Sequence, residues 1–199
     1  SQLLSFLMTP NRATRQRVRQ VKALIGFTQP IIGVHIRHGD ACIHASLSNY
    51  RPPCKSPVDY LRQAEEMSEK YGVHKVFLAT DDPSVVEHIR AANDKLEIIH
   101  VNLDRREFQS NWFIEYRMKA ALESKAEVDL QLVADSTVLD LALLADCDYL
   151  VGAFSSHFSR LALEVMVARK GHVPPYASLD LPYGMNGQPP PYAQRQVYS

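Results

Sequence analysis

Four apolar runs alternate with helix-like segments along this 199-residue chain, and that order limits the possible folds more than any other feature. The runs lie at 31–37, 74–80, 95–101 and 148–154. The first, IIGVHIR, is rich in β-branched residues and lacks polar alternation, which is typical of a parallel strand covered on both faces. The sequence therefore predicts an α/β fold, a parallel sheet with helices on both faces.

Cap and breaker residues mark the predicted helices between these runs. Pro57 and Gly72 bound one helix, Asp82 and Pro83 open another, and Gly171 ends the last. The helices are predicted at 57–70, 81–93, 136–147 and 156–171. The remaining long segment, 104–135, is polar and mixed, and we expect it to be helical in part.

The chain is predicted to form one domain over residues 1–199. A basic amphipathic helix is expected within 1–26, with Thr9 as its N-cap and Gly26 at its end. Residues 173–199 are rich in Pro and Tyr, and we expect this segment to pack on the domain.

The charge balance argues against a polyanionic partner. Lys plus Arg and Asp plus Glu each number 22, so the formal net charge is zero. Proteins that bind nucleic acid or an anionic membrane surface usually carry an excess of positive charge. No nucleic-acid partner is therefore expected, and an anionic ligand should be small. The chain also lacks any run of 18 or more apolar residues.

Polar residues follow three of the four predicted strands. In a parallel sheet the carboxyl ends of the strands lie at one edge, and ligands bind beyond that edge. The clusters are Arg37, His38 and Asp40 after the first strand, Thr80, Asp81 and Asp82 after the second, and Ser155, Ser156 and His157 after the fourth. The sequence therefore predicts a binding site at this edge.

These residue types suit a phosphorylated ligand, although each also has an ordinary structural role. Arg37 can grip a diphosphate with its planar guanidinium, or form a surface ion pair. The helix that begins near Ser155 can bind phosphate through its N–H groups, or carry a plain serine N-cap. Asp81 and Asp82 can brace an arginine, or cap the next helix. The chain has no G-x-G-x-x-G or G-x-x-x-x-G-K-[ST] motif, which weakens dehydrogenase and P-loop interpretations.

The three cysteines do not indicate a metal site, because none has C-x-x-C spacing. Cys42 and Cys54 flank one Pro-containing loop, and composition leaves open whether they pair in an oxidising compartment or stay free. Asp-Cys-Asp at 146–148 looks like a metal-binding D-x-D motif, but it lies between a helix and a strand, at the opposite end of the sheet. A turn is the favoured interpretation of this stretch, and no metal ligands are predicted.

Four ordered stretches together resemble the nucleotide-binding half of the α1,6-fucosyltransferase family: GVHIRHGD, VFLATDDPSVV, VLDLALLADCDYLVGAFSSHFSRLALEVM and ASLDLPYGMNGQ. The H-x-R-H-G variant is closer to the nodulation-factor fucosyltransferases, and protein O-fucosyltransferases share the H-x-R pattern. The resemblance implies a Rossmann-like domain, the C-terminal half of a GT-B-like fold. It also implies GDP-fucose as donor, inversion without a metal, and a glycan or glycoprotein acceptor. The location it implies is the secretory pathway, in the Golgi lumen or outside the cell.

The resemblance implies which residues meet the phosphates. Arg37 matches the arginine that grips the β-phosphate as GDP leaves, and Asp81 and Asp82 match the acidic pair that supports it. The loop 155–157 matches the helix start that holds phosphate oxygens. His38 stands where core-fucosylating enzymes have a second arginine, and it stays among the expected nucleotide-binding residues.

His35 and Asp140 match the residues that recognise guanosine. Asp140 lies among leucines in an apolar helix, so its carboxylate either faces solvent or turns into the site. The general base of the family, a glutamate, has no counterpart in the stretch ACIHASLSN. Asp40, His44 or no residue at all takes that role.

Two classes of function follow. In the first, the chain is the catalytic nucleotide-binding half of a fucosyltransferase, and a longer chain or a partner supplies the N-terminal half. In the second, it is a non-catalytic relative that kept the fold for binding or as a subunit of an assembly. The missing base favours the second class, whereas the retained His35, Arg37, Asp140 and Ser155 favour the first.

Overall fold

The computed structural model describes residues 2–39, 42, 54–108, 114–123 and 129–183. The helices in this part of the chain are α1 (Gln2–Leu7), α2 (Arg12–Ile25), α3 (Pro57–Tyr71), α4 (Pro83–Ala92), α5 (Ile114–Leu122), α6 (Leu130–Leu144) and α7 (His157–Lys170), with a 3-10 turn at Arg106–Phe108. The strands are β1 (Ile32–Ile36), β2 (Lys75–Thr80), β3 (Glu97–His100), β4 (Tyr149–Gly152) and β5 (Tyr176–Ser178). None of the described helices is long and apolar enough to cross a membrane.

The strands form one sheet in the order β3-β2-β1-β4-β5, and every neighbouring pair is parallel. The chain builds outward from β1 to β3 and then returns to place β4 on the other side of β1. The strand order therefore reverses between β1 and β4, and ligands of open α/β sheets bind beyond the carboxyl ends of the strands at such a point. The predicted parallel α/β fold is confirmed.

Helices cover both faces of the sheet, which explains the unbroken apolar runs. On β2, Val76 and Leu78 belong to a core formed with α3 and α4. Phe77 and Ala79 point to the other face and join a core formed with α2, α6 and α7. Because successive strand residues point to opposite faces, each must be apolar when both faces are buried.

The N-terminal segment differs from the prediction of a single helix capped by Thr9. It contains two helices, and the second is capped by Asn11, whose side chain accepts a 2.9 Å hydrogen bond from the Thr14 N–H. Leu4 and Met8 pack against the core shared by α2, α6 and α7, which accounts for the separate first helix. Gly26 ends α2 in the left-handed conformation, as predicted.

One further helix starts earlier than predicted, and one strand was not predicted. Helix α6 begins at Leu130 rather than near residue 136, and Asp129 caps it by accepting from the Leu132 N–H. A short strand, β5, adds to the sheet beside β4. It lies in the segment 173–199, of which residues 184–199 are outside the described part of the chain.

Cys42 and Cys54 form a disulfide. Composition left open whether these two cysteines pair or stay free, and the structure has them paired.

Candidate functional site

A cavity of about 420 Å³ lies at the carboxyl edge of β1, β2 and β4. It brings together seven of the predicted site residues: His35, Arg37, Asp81, Asp140, Ser155, Ser156 and His157. His38 and Asp82 are not among its lining residues but lie beside it. Asp40 and His44, the two candidates for a catalytic base, fall outside the described residues.

Asp81 braces both Arg37 and the loop after β1. Its Oδ2 lies 2.5 Å from Arg37 Nη1, and its Oδ1 accepts from the N–H groups of His38 at 2.8 Å and Gly39 at 3.2 Å. A Cβ on Gly39 would come within 2.9 Å of the Phe108 carbonyl oxygen and 3.0 Å of Asp81 Oδ2. The glycine of the H-x-R-H-G stretch is therefore required by close packing, and it allows Asp81 to hold the arginine at the cavity.

His38 and Asp82 form a second pair next to this brace. His38 Nδ1 and Asp82 Oδ2 are 2.8 Å apart, and Asp82 Oδ1 also caps α4 by accepting from the Ser84 N–H at 2.9 Å. Burial raises the pKa of Asp82, but hydrogen bonds from His38 and Ser84 outweigh it and hold that pKa below its ordinary value. Asp82 thus caps α4, as one of its two predicted roles required, and also contacts His38, whereas Asp81 is paired with Arg37.

His35 is buried on β1 and stays neutral at neutral pH. Its Nδ1 lies 2.7 Å from Ser159 Oγ, and its ring centroid lies 4.8 Å from that of Phe158. Burial, and after it the positive charges of Arg37 and Arg105, together lower the pKa of His35 to about 3. The nearby Gly152 permits this contact, because a Cβ there would be 2.9 Å from Ser159 Oγ.

Asp140 turns inward, where it forms an ion pair with Arg105. Arg105 Nη1 lies 2.8 Å from Asp140 Oδ2, and Nη2 donates to Oδ1 at 3.2 Å. The two side chains are only 8% and 7% exposed, and both line the cavity. Burial raises the pKa of the Asp140 carboxyl, while the Arg105 guanidinium opposes that rise.

The wall beside this ion pair is apolar. It is formed by a small hydrophobic cluster from the 3-10 turn, α5 and α6, which contains Phe108, Ile114, Val133 and Met118. Arg37 and Asp81 line the same cavity. The positive charges of Arg37 and Arg105 both lower the pKa of His35, and the negative charge of Asp81 helps to raise the pKa of Asp140, so these charged groups act on one another across the cavity.

The start of α7 is held by Asp180. Its Oδ1 accepts from the N–H groups of Phe154 at 2.7 Å and Ser155 at 3.2 Å, and its Oδ2 accepts from the Ser155 hydroxyl. Ser156 is the N-cap of α7 but makes no side-chain cap hydrogen bond. The first N–H groups of α7 therefore point out of the helix end beside the cavity, in the arrangement that binds anions.

Several cavity residues were missed by sequence reasoning: Arg105, Asp180, Tyr60, Lys55 and Phe108. Arg105 lies in the polar segment 104–135, which offers no periodic pattern from which to place it. Asp180 lies within ASLDLPYGMNGQ, a stretch that carries the family resemblance, so that stretch was an available signal. Tyr60 is buried, and burial together with the charges of Asp180 and Asp81 raises the pKa of its hydroxyl.

The Asp-Cys-Asp stretch lies at the amino end of the sheet, as expected for a turn. Asp148 accepts from the Ile31 N–H at 3.0 Å, and Asp146 forms an ion pair with Lys22 at 2.7 Å. Among the residues that the structure describes, no three His, Cys, Asp or Glu side chains converge as a metal site would require.

Comparison with known proteins identifies the family. Residues 1–183 match the family model described as alpha-(1,6)-fucosyltransferase N- and catalytic domains. The chain is 26% identical over 171 residues to the alpha-(1,6)-fucosyltransferase of Drosophila melanogaster, which covers 83% of this chain but 24% of that protein.

Solved structures of POFUT1 share the fold. The complex of POFUT1 with GDP-fucose aligns with a TM-score of 0.56 and 14% identity, over 88% of this chain and 48% of that one. The complex with GDP aligns with a TM-score of 0.55 and 15% identity, over 84% of this chain and 48% of that one. The chain thus spans about a quarter of its Drosophila relative and about half of POFUT1. Because the family model covers most of its length, this chain belongs to the alpha-(1,6)-fucosyltransferase family.

Proposed function

We propose that this chain is the nucleotide-binding half of an inverting, metal-independent fucosyltransferase that takes GDP-fucose as donor and a glycan or glycoprotein as acceptor. The observation that carries the proposal is that one cavity combines an arginine braced by a carboxylate, a second buried carboxylate and an apolar wall. A nucleoside diphosphate offers matching groups, namely its phosphates, the hydrogen-bonding edge of its base and the apolar face of that base. Family membership and the GDP-fucose bound by POFUT1 support this choice of ligand.

The diphosphate is placed at Arg37, which donates to the β-phosphate while Asp81 keeps its guanidinium in place. Lys55 lines the same cavity, and the N-terminus of α7 adds the N–H groups and the positive end of its dipole. These groups compensate the diphosphate charge, which is why we propose that the reaction needs no metal. Asp180 supports the site indirectly, because it fixes the loop that precedes α7.

The base is placed against the apolar wall that contains Phe108, Met118 and Val133. The ionised Asp140 accepts hydrogen bonds from the N1 and N2 donors of guanine, donors that adenine lacks at these positions. His35 is neutral and buried, so its ring can contact the guanosine without adding a second positive charge.

In the reaction, an acceptor oxygen attacks C1 of fucose on the face opposite to GDP, and its proton passes to a base. The bond between C1 and the β-phosphate oxygen breaks, and its electron pair leaves with GDP. Arg37 stabilises the negative charge that develops on that phosphate, so its contribution is greatest in the transition state. Asp40 and His44 are the candidate bases, because they follow Arg37 closely in the chain.

A second candidate is a domain that binds the nucleotide without catalysing transfer. The absence of a glutamate from ACIHASLSN, where family enzymes carry their base, favours this alternative. In both cases we propose that an N-terminal half, in a longer chain or a partner, completes the acceptor side. We also propose a place in the secretory pathway, in the Golgi lumen or outside the cell, which the Cys42–Cys54 disulfide supports.

Calorimetric titration of the chain with GDP and ADP tests the nucleotide assignment. A site built around Asp140 rejects a base without matching donors, so GDP should bind at least about 100-fold more tightly than ADP. Adding EDTA should leave the GDP affinity unchanged. Equal affinity for the two nucleotides would remove the guanine assignment, and a large loss in EDTA would contradict metal independence.

A transfer assay separates the two candidate functions. The chain is mixed with GDP-fucose and a core N-glycan acceptor, alone and with the N-terminal half of a family member, and the fucosylated product is measured by mass spectrometry. Product that disappears in the Arg37→Ala variant supports the transferase. Tight GDP binding with no product under either condition supports the binding domain.

A further inference from the structure

Arg105 is a charged residue of the cavity whose role the family resemblance does not explain. It is buried, it lines the cavity, and its guanidinium faces the carboxylate of Asp140. A buried arginine is costly unless its donors are used, so its position beside the proposed base site calls for a chemical reason.

The ion pair between Arg105 and Asp140 leaves some N–H groups and some lone pairs of these side chains unused. Nη1 and Nη2 each contact a different oxygen of Asp140, at 2.8 and 3.2 Å. A guanidinium has five N–H groups and a carboxylate has about four lone-pair positions, and these two contacts use only part of each set. An N–H donor of Arg105 therefore lies next to an acceptor lone pair of Asp140 along the flank of the pair.

Guanine and adenine present opposite patterns to such a flank. The Watson–Crick edge of guanine has the O6 acceptor next to the N1–H donor, whereas adenine has an amino donor at position 6 next to the N1 acceptor. A guanine beside the pair can give its N1–H to Asp140 and receive a hydrogen bond from Arg105 at O6. An adenine in the same place would oppose donor to donor and acceptor to acceptor.

We propose that Arg105 is a base-recognising residue that acts with Asp140, donating to O6 of guanine while Asp140 accepts from N1–H. The inference rests on the proposed function, because it places the base of a guanine nucleotide against the apolar wall of the cavity, beside Asp140. The apolar wall of Phe108, Met118 and Val133 strengthens the discrimination, since it keeps water from satisfying a mismatched group. The pair therefore distinguishes guanine from adenine at two adjacent positions of the base, N1 and O6.

The alternative is that Arg105 only balances the charge of Asp140. The two roles predict different changes in affinity when position 6 of the base is altered. Recognition of O6 makes binding sensitive to the acceptor at position 6, and this sensitivity depends on Arg105. Simple charge balance makes the Arg105 variant weaker for every nucleotide alike.

Calorimetry with three nucleotides tests the proposal: GDP, 6-thio-GDP, in which the weaker acceptor sulfur replaces O6, and 7-deaza-GDP, which changes only N7 on another edge. The unmodified chain should bind 6-thio-GDP about tenfold more weakly than GDP and 7-deaza-GDP equally well. In Arg105→Met the ratio between GDP and 6-thio-GDP should fall to near one. Arg90→Met, which removes an exposed arginine paired with His100, should keep the tenfold ratio.

Each outcome decides between the roles. Equal binding of GDP and 6-thio-GDP by the unmodified chain overturns the proposal, and so does an Arg105→Met variant that keeps the tenfold ratio. If 7-deaza-GDP binds more weakly than GDP while 6-thio-GDP binds as tightly as GDP, the proposal is overturned as well. The comparison on the unmodified chain needs no variant, so equal binding of GDP and 6-thio-GDP overturns the proposal even if Arg105→Met does not fold. A chain that binds none of the three nucleotides overturns the proposed function itself, which is a different result from GDP binding without sensitivity at position 6.

Discussion

At the carboxyl edge of the sheet, Arg105 and Asp140 form an ion pair whose side chains are 8% and 7% exposed. At the amino edge, Lys22 and Asp146 form one whose side chains are 26% and 29% exposed. Both edges thus carry acidic residues paired with cations, and the Asp-Cys-Asp of the amino edge looks like a metal-binding motif although its place between a helix and a strand favours a turn. The difference lies in which ends of the helices meet each edge.

Helices in this fold run antiparallel to the strands, so their C-termini lie at the amino edge. Lys22 is in the last turn of α2, and Arg169 and Lys170 end α7, where cations suit the negative end of the helix dipole. These cations pair with Asp146 and Asp148 and close that edge. The carboxyl edge instead receives the N-terminus of α7, whose positive end remains directed to the cavity. An anionic ligand is therefore favoured at one edge only.

The largest expected effect comes from breaking the buried pair. Asp140→Ala leaves Arg105 as an unpaired charge in a site almost closed to water, so the free energy of unfolding should fall by about 3–5 kcal/mol. Urea unfolding measures this loss. The double variant Arg105→Met/Asp140→Leu is the matched control and should recover much of the stability, because apolar side chains replace both charges. A loss below about 1 kcal/mol in Asp140→Ala would mean that water reaches the pair and that the two edges do not differ.

Removing the braced arginine should cost somewhat less but should act on binding. Arg37→Ala is expected to weaken GDP binding by about 2–4 kcal/mol, because a charge-assisted contact to phosphate is lost in a partly desolvated site. Calorimetry on the variant measures the change. Arg90→Ala, at an exposed position on α4, should bind GDP as the unmodified chain does. Unchanged affinity in Arg37→Ala would take this residue out of the site.

Acid should destabilise the carboxyl edge through His35. Its pKa is about 3 in the folded chain and about 6.5 when unfolded, so between these values the unfolded chain binds one more proton. Stability must then fall as the pH falls through this window, by about 2 kcal/mol from pH 6.5 to pH 5. Urea unfolding at both pH values measures the loss, with His35→Gln as the control in which it should largely vanish. Equal pH dependence in both proteins would show that other groups cause it.

The smallest effect is expected at the amino edge. Asp146→Ala removes contacts to Lys22 and Arg169, but these side chains are partly exposed, so the free energy of unfolding should fall by only about 1 kcal/mol. GDP affinity should not change, because Asp146 is remote from the cavity. A substantial loss of GDP binding in this variant would contradict the proposal that only the carboxyl edge takes part in nucleotide binding.

The sequence predicted the edge of the sheet at which most polar residues of the cavity lie. His35, Arg37 and Asp81 follow or end buried strands, and the topology of a parallel sheet brings such residues to one edge without further information. Asp140 required the resemblance to the family, because its position on an apolar helix allowed two orientations. Arg105 could not be placed at all, since its segment has no periodicity.

The sequence by itself determined the alternation of strands and helices, because the spacing of apolar residues and the cap residues are local properties of the chain. It also determined that Arg37 and Asp81 would meet at one edge, since each directly follows a strand. Only the tertiary structure decided that Arg105 meets Asp140, that Asp180 holds the start of α7, and that Lys22 neutralises Asp146. The chain separates Arg105 from Asp140 by 35 residues, Phe154 from Asp180 by 26, and Lys22 from Asp146 by 124. No local sequence pattern can link residues so far apart. They come together only when the helices pack on the sheet and bury the surfaces between them.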